Sequence, residues 1–146
     1  MSDDRTDRRM IGALLRRPFQ AIVARIDRDL RAAGYADLRP AHFVVFQHLR
    51  PAGSRLTDLA EQAQITKQSM GYLVDYLEAQ GYVERVPDPV DGRARVIRMT
   101  GRGATMEQKA RAIIQSIEAE WANRIGRDRF EQLRQTLKEL ADIPEA

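Results

Sequence analysis

Four arginines crowd the stretch RVPDPVDGRARVIRMT: Arg85 lies before a DPVDG segment, and Arg93, Arg95 and Arg98 follow it. A guanidinium presents a rigid fork of donors that suits phosphate and other planar anions. Upstream, Thr66, Lys67, Gln68 and Ser69 supply hydroxyl and amide groups that can meet base edges, with a lysine for a phosphate. Covalent chemistry has no comparable support. The absence of cysteine excludes a disulfide scaffold, a thiolate zinc site, a thiol nucleophile and a cysteine peroxide sensor. There is no HExxH and no phosphate-binding glycine loop, and Ser54, Ser69 and Ser116 have no histidine near them in sequence. His42 and His48 are the only imidazoles. Six residues apart, they lie about 120° from each other around an ideal helix, a poor placement for sharing a metal ion. No catalytic residue, metal or cofactor is therefore expected, and the chain does not read as an enzyme.

The 146 residues, 43% of them hydrophobic, suffice for one domain over 1–146 with a modest core. The net charge is only +3, but the pI is near 9.6 and arginine outnumbers lysine 21 to 3, which favours an anionic partner. No apolar run reaches the roughly 18 residues of a membrane span. The start MSDDRTDRRM is charged and lacks a signal-peptide pattern, so a cytoplasmic protein with no membrane partner is expected.

Apolar residues at Ile11, Leu14, Leu15, Phe19, Ile22, Val23, Ile26 and Leu30 define a helical stripe within 8–33. Pro18 should kink this helix or split it around Arg17. Gly34 ends it, and Pro40 suits the first turn of PAHFVVFQHLR. Thr57 is the expected cap of DLAEQAQ, and Thr66 that of KQSMGYLVDYLEAQ, which stops at Gly81. Strands follow near 82–86 and 93–99, joined by a turn containing Asp91-Gly92, the pair that most readily supplies positive φ. A long helix over 102–124 ends at Gly126, and Asp128 can cap a last helix bearing Phe130, Leu133, Leu137 and Leu140. The fold class is mainly α with a small β-ribbon. Short helices, a tight turn and a ribbon over 40–100 make a winged helix-turn-helix.

In the helix after Thr66, Met70, Leu73, Val74 and Leu77 must face the core, leaving Gln68, Gly71, Tyr72, Asp75 and Tyr76 outward. A glycine costs about 1 kcal/mol in a helix interior, and close approach to DNA would justify Gly71. On the ribbon, Arg93 has the size to enter a narrow minor groove, and Asp91 could brace its guanidinium. The expected DNA-contact set is Thr66, Lys67, Gln68, Ser69, Gly71, Tyr72, Arg85, Asp91, Arg93 and Arg95. The competing reading is a solvated helix face beside a hairpin laced with cross-strand ion pairs.

The segment LTDLAEQAQITKQSMGYLVDYLEAQGYVERVPDPVDGRARVIRMTGRG resembles the MarR-type (multiple antibiotic resistance) regulators. The similarity rests on L-x-x-x-L-x-x-x-G-x-V-x-R from Leu73 to Arg85, D-P-x-D-x-R from Asp88 to Arg93, and the strand exit M-T-x-x-G. EAEWANRIGRDRFEQLRQTLKEL is similar to the family's C-terminal helices. The resemblance implies a helix over 66–80 in the major groove, Arg93 in the minor groove with Asp91 beside it, and a homodimer. Gln64 departs from the family where the turn often has glycine, and Gly92 replaces an arginine common before Arg93.

The segments 8–33 and 102–142 carry apolar residues such as Trp121, Ile125, Leu133, Leu137 and Leu140 beyond what a small wing domain covers. They serve either the chain's own core or dimerisation with a second copy. A dimer would read a palindromic site in double-stranded DNA, with half-sites about one helical turn apart. The resemblance also implies a small aromatic or amphipathic effector in a cleft between the dimer helices and the wing domain. His42 and Phe46 are the candidate effector residues, weighed against a histidine at the core edge. The leading function is a ligand-responsive DNA-binding repressor. The alternative is a winged-helix protein-interaction module, which would not need outward arginines.

Overall fold

The computed structural model describes residues 10–142, so the Arg8 start expected for the first helix lies outside them. Helix α1 (Ile11–Ala32) runs unbroken through Pro18, and the split expected around Arg17 does not occur. Proline removes one donor, and residues 11–20 are all exposed, so water can reach the carbonyl left without that donor. Gly34 closes the helix with φ +101, while the Tyr35 N–H returns to the Leu30 carbonyl at 2.9 Å.

Pro40 occupies the first turn of α2 (Pro40–His48). Helix α3 (Leu56–Ala63) starts earlier than its sequence implies, with Arg55 at the N-cap and Thr57 already inside the first turn. The cause is a tertiary contact. Ser54 exchanges two backbone hydrogen bonds with Ile97 (2.9 and 2.8 Å), fixing the extended chain from which α3 departs. The α3–α4 turn adopts left-handed geometry without glycine: Gln64 has φ 56 and ψ 41. Helix α4 (Lys67–Ala79) is capped by Thr66, whose hydroxyl accepts the Ser69 N–H at 3.0 Å.

Strands β1 (Val83–Pro87) and β2 (Arg95–Met99) pair antiparallel, with Val83 opposite Met99 and Pro87 opposite Arg95. Their connection, 88–94, is displaced from the expected 87–92, and Gly92 does not adopt positive φ. The Ala94 N–H closes an Asp91–Ala94 turn at 3.0 Å, and the Asp88 N–H reaches the Ala94 carbonyl at 2.8 Å. Arg93 thus lies within the turn rather than after it.

Helix α5 (Gly101–Ile125) is capped by Thr100, and its Gly103 is pressed against Tyr82, just before β1. A Cβ at Gly103 would stand 2.1 Å from the Tyr82 carbonyl oxygen, which explains the glycine of the M-T-x-x-G exit. Helix α6 (Arg127–Ala141) starts from Gly126, with Asp128 in its first turn instead of at the cap.

One apolar cluster joins these elements. Leu30, Leu38, Val45, Leu59, Met70, Val74, Leu77, Val83, Ile97, Met106 and Ile117 are all buried in it. Met70, Val74 and Leu77 face inward from α4 as the stripe requires, with Leu73 partly buried beside them. On α1 the stripe divides. Ile22, Ile26 and Leu30 pack on the core, whereas Ile11, Leu14, Leu15 and Phe19 stay exposed.

Candidate nucleic-acid interface

Helix α4 presents Thr66, Lys67, Gln68, Ser69 and Tyr72 to solvent. Thr66 both caps the helix and donates its hydroxyl hydrogen to Ser69 Oγ at 2.9 Å, which holds the first turn rigid. One turn on, Gln68 Nε2 donates to the Tyr72 hydroxyl at 3.3 Å, and Tyr72 remains 67% exposed. Gly71 lies between these side chains. A Cβ there would meet only Leu56 Cδ2, at an ordinary 3.9 Å, so internal packing does not demand the glycine.

The other end of α4 is tied down. Arg85 sends its guanidinium to Asp75 (2.8 Å) and Glu78 (2.9 Å), and its backbone N–H also donates to Glu78. It is thus the clip that holds β1 to α4, already engaged by two carboxylates rather than free. Tyr76 is exposed as expected, and its hydroxyl donates to the Asp37 carbonyl at 2.5 Å while its ring stacks on His42 with centroids 4.5 Å apart.

The wing differs from expectation in how Asp91 acts. Its carboxylate accepts the Arg93 backbone N–H at 3.1 Å and approaches the Arg55 guanidinium at 3.9 Å; it does not brace the Arg93 guanidinium. The backbone bond is available because Arg93 lies two residues on, inside the turn. Among the described residues the Arg93 and Arg95 guanidinium groups have no carboxylate partner, and both residues are exposed. Arg98 is different, since Glu84 across the strand pair holds it at 2.7 Å. The loop is built on Asp88, which accepts the Val90 N–H at 2.9 Å and two bonds from Arg55 at 3.0 and 3.2 Å. The Val90 N–H, followed by the Arg55 guanidinium, holds the Asp88 carboxyl below the usual carboxylate range.

A second cluster was hidden in the sequence. Asp37, in the α1–α2 loop, accepts the Tyr82 hydroxyl at 2.5 Å and Arg102 at 3.1 Å, while Arg102 lies 4.3 Å over the Tyr82 ring. Burial, followed by Asp37, raises the Tyr82 phenol well above its usual value. The partners are 45 and 65 residues from Asp37, so no local pattern announces them.

A cavity of about 410 Å³ opens between α1, α2 and α5, walled by Phe19, Ile22, Phe43, Phe46 and Met106, with Arg111 among its polar groups. It brings in Phe46 but not His42. His42 is buried, and its Nδ1 accepts the Arg39 N–H at 2.9 Å, capping α2 from within. Desolvation lowers the His42 pKa, against the pull of Asp37, so the cap is a neutral imidazole with its proton on Nε2. Another groove, of about 370 Å³, lies along α1, α5 and α6 and includes Ile22, Ile114, Trp121, Phe130, Leu133 and Leu137. Among the described residues no cluster of acidic or histidine side chains could hold a metal ion, and no helix is long and apolar enough to cross a membrane.

Residues 36–94, from the loop before α2 to the end of the wing loop, match the family model described as MarR family. No curated protein matches the chain significantly. Among solved structures, CouR from Rhodococcus jostii RHA1 bound to p-coumaroyl-CoA is similar, with 25% identity, 99% of each chain covered and a TM-score of 0.74. A MarR-family transcriptional regulator from Rhodococcus sp. RHA1 shares 25% identity over 93% of this chain and 95% of its own, with a TM-score of 0.72. The apo form of MarR from E. coli, at 22% identity, shares the fold over 90% of this chain and 97% of its own, with a TM-score of 0.68. The helix-turn-helix and wing thus match the MarR family model, and the same fold continues through the flanking helices as in the similar MarR-family transcriptional regulator.

Proposed function

We propose that this protein binds double-stranded DNA as a homodimer and acts as a ligand-responsive repressor on a palindromic or near-palindromic operator. The observation that carries the reading is the pairing of two surfaces: the polar, exposed first turns of α4, and a wing whose Arg93 and Arg95 are exposed without carboxylate partners among the described residues. Every other wing arginine is already satisfied inside the chain. In the complex the start of α4 enters the major groove. Gln68 offers the amide pair that suits adenine, with Tyr72 orienting it, while Lys67 and Ser69 meet the backbone. Arg93 reaches the adjacent minor groove, and Arg95 the flanking phosphates. Arg85 serves by fixing the ribbon to α4.

The dimer forms through the segments 8–33 and 102–142. Support comes from the exposed Ile11, Leu14, Leu15 and Phe19 of α1 and from the half-exposed Leu133, Leu137 and Leu140 of α6. The effector is a small aromatic or amphipathic molecule held in the cavity beside Phe43 and Phe46. The apolar walls, and the p-coumaroyl-CoA bound by the similar CouR, support that class. His42 belongs to the frame of this site rather than to its lining.

Fluorescence anisotropy with an enriched operator tests the DNA contacts. Arg93→Ala should weaken binding to all sites with A·T-rich flanks, whereas Gln68→Ala should cost about 1–3 kcal/mol of discrimination at one base position. Unchanged affinity for Arg93→Ala would remove the wing from the mechanism.

A further inference from the structure

The wing loop is anchored through Asp88. The Asp88 side chain keeps only 12% of its exposure, and its two oxygens divide the work: Oδ1 takes the Val90 N–H, and Oδ2 takes Nε and Nη2 of Arg55. Arg55 is the N-cap residue of α3, so this contact bolts the loop to the helix-turn-helix across 33 residues of sequence. Asp91 adds a weaker charge contact to the same guanidinium at 3.9 Å and holds the Arg93 backbone. Through this chain of bonds the position of Arg93 depends on Arg55. An arginine at a helix start beside a DNA-reading surface could instead be a phosphate ligand, and the geometry argues against that. Pulling Arg55 away would leave a largely buried carboxylate unpaired next to a polyanion, a costly arrangement.

We propose that Arg55 is a positioning residue for operator binding: it stays clasped to Asp88 in the complex and presents the wing, with Arg93, in its binding geometry. The inference rests on the DNA-binding reading above. Pre-ordering a loop spares the complex the entropy of fixing it, so the clasp adds affinity without touching DNA.

The test measures operator affinity against salt concentration for the parent, Arg55→Gln, Arg55→Lys, Arg93→Ala and the Arg55→Gln/Arg93→Ala pair. Arg55→Gln should bind on the order of tenfold more weakly, with an unchanged salt slope and unchanged base preference. Arg55→Lys, which keeps the charge but loses the fork, should recover part of the affinity. In the Arg93→Ala background, Arg55→Gln should cost little more, because the wing it positions is already disarmed. A salt slope reduced by about one in Arg55→Gln, with additive losses in the pair, would make Arg55 a phosphate contact and overturn the inference. Parent-like affinity in Arg55→Gln would overturn it too. A parent chain that binds no duplex would instead overturn the DNA-binding reading, and the inference with it.

Discussion

At the scale of single residues, Gly71 separates stability from binding. Alanine there meets only an ordinary contact with Leu56 and removes the entropic cost of glycine in a helix. Gly71→Ala should therefore raise unfolding free energy by up to about 1 kcal/mol in a denaturant titration. If the backbone of α4 lies close to DNA, the same change should weaken operator binding. A variant more stable and equally tight in binding would show that α4 keeps its distance at this position. Gly103 is the opposite case, since its missing Cβ is demanded by the Tyr82 carbonyl and its role is internal. Both glycines stand in helices, and only the surroundings distinguish them.

At the scale of elements, α2 depends on a neutral histidine. Desolvation lowers the His42 pKa, so the folded state holds its proton less tightly than the unfolded chain. The stabilisation from the cap is complete above the unfolded imidazole value, about 6.5, and is lost as pH falls through the lower folded value. Protonation also puts a hydrogen on the nitrogen that accepts the Arg39 N–H, breaking the cap. Thermal melts from pH 7.5 to 5 should show the parent losing stability relative to His42→Phe, which can stack on Tyr76 but cannot titrate. Parallel curves would remove His42 as the source. Elements of this kind were legible in the sequence where the signal was local: the Thr66 cap, the Met70–Val74–Leu77 stripe, and the proline opening α2. They were not legible where a distant strand or loop decided the matter. Helix α3 starts at Leu56 because Ser54 is paired with Ile97, and Asp91 turned to the Arg93 backbone because β2 begins only at Arg95 and leaves Arg93 inside the turn. Gln64 accepts left-handed geometry because the α3–α4 turn requires it, whatever the residue's own preference. The exposed face of α4 followed from helical phase, whereas the Asp37 network and the Arg55 clasp join positions too far apart for any spacing to reveal.

At the scale of the whole molecule, the proposed function requires two copies. One wing and one reading helix make few phosphate contacts, and specificity grows when a second half-site is engaged. The exposed apolar residues of α1 and α6, on either side of the helix-turn-helix and wing in sequence, are the surface proposed for that dimer. Leu133→Glu with Leu137→Glu should shift sedimentation from dimer to monomer and abolish tight operator binding. A monomer that still binds tightly would contradict the two-half-site arrangement. The cavity beside Phe46 lies between α1, α2 and α5, and α2 also holds Tyr76 of α4 through His42. A ligand that displaces α2 thus has a short physical route to the reading helix.

Selection of bound duplexes from a random DNA pool, read by sequencing and followed by a salt titration of the enriched site, tests the central claim most directly. An inverted repeat with half-sites about one helical turn apart is expected, with an affinity that falls steeply with salt. Absence of any enriched sequence, with only weak binding indifferent to sequence, would contradict it.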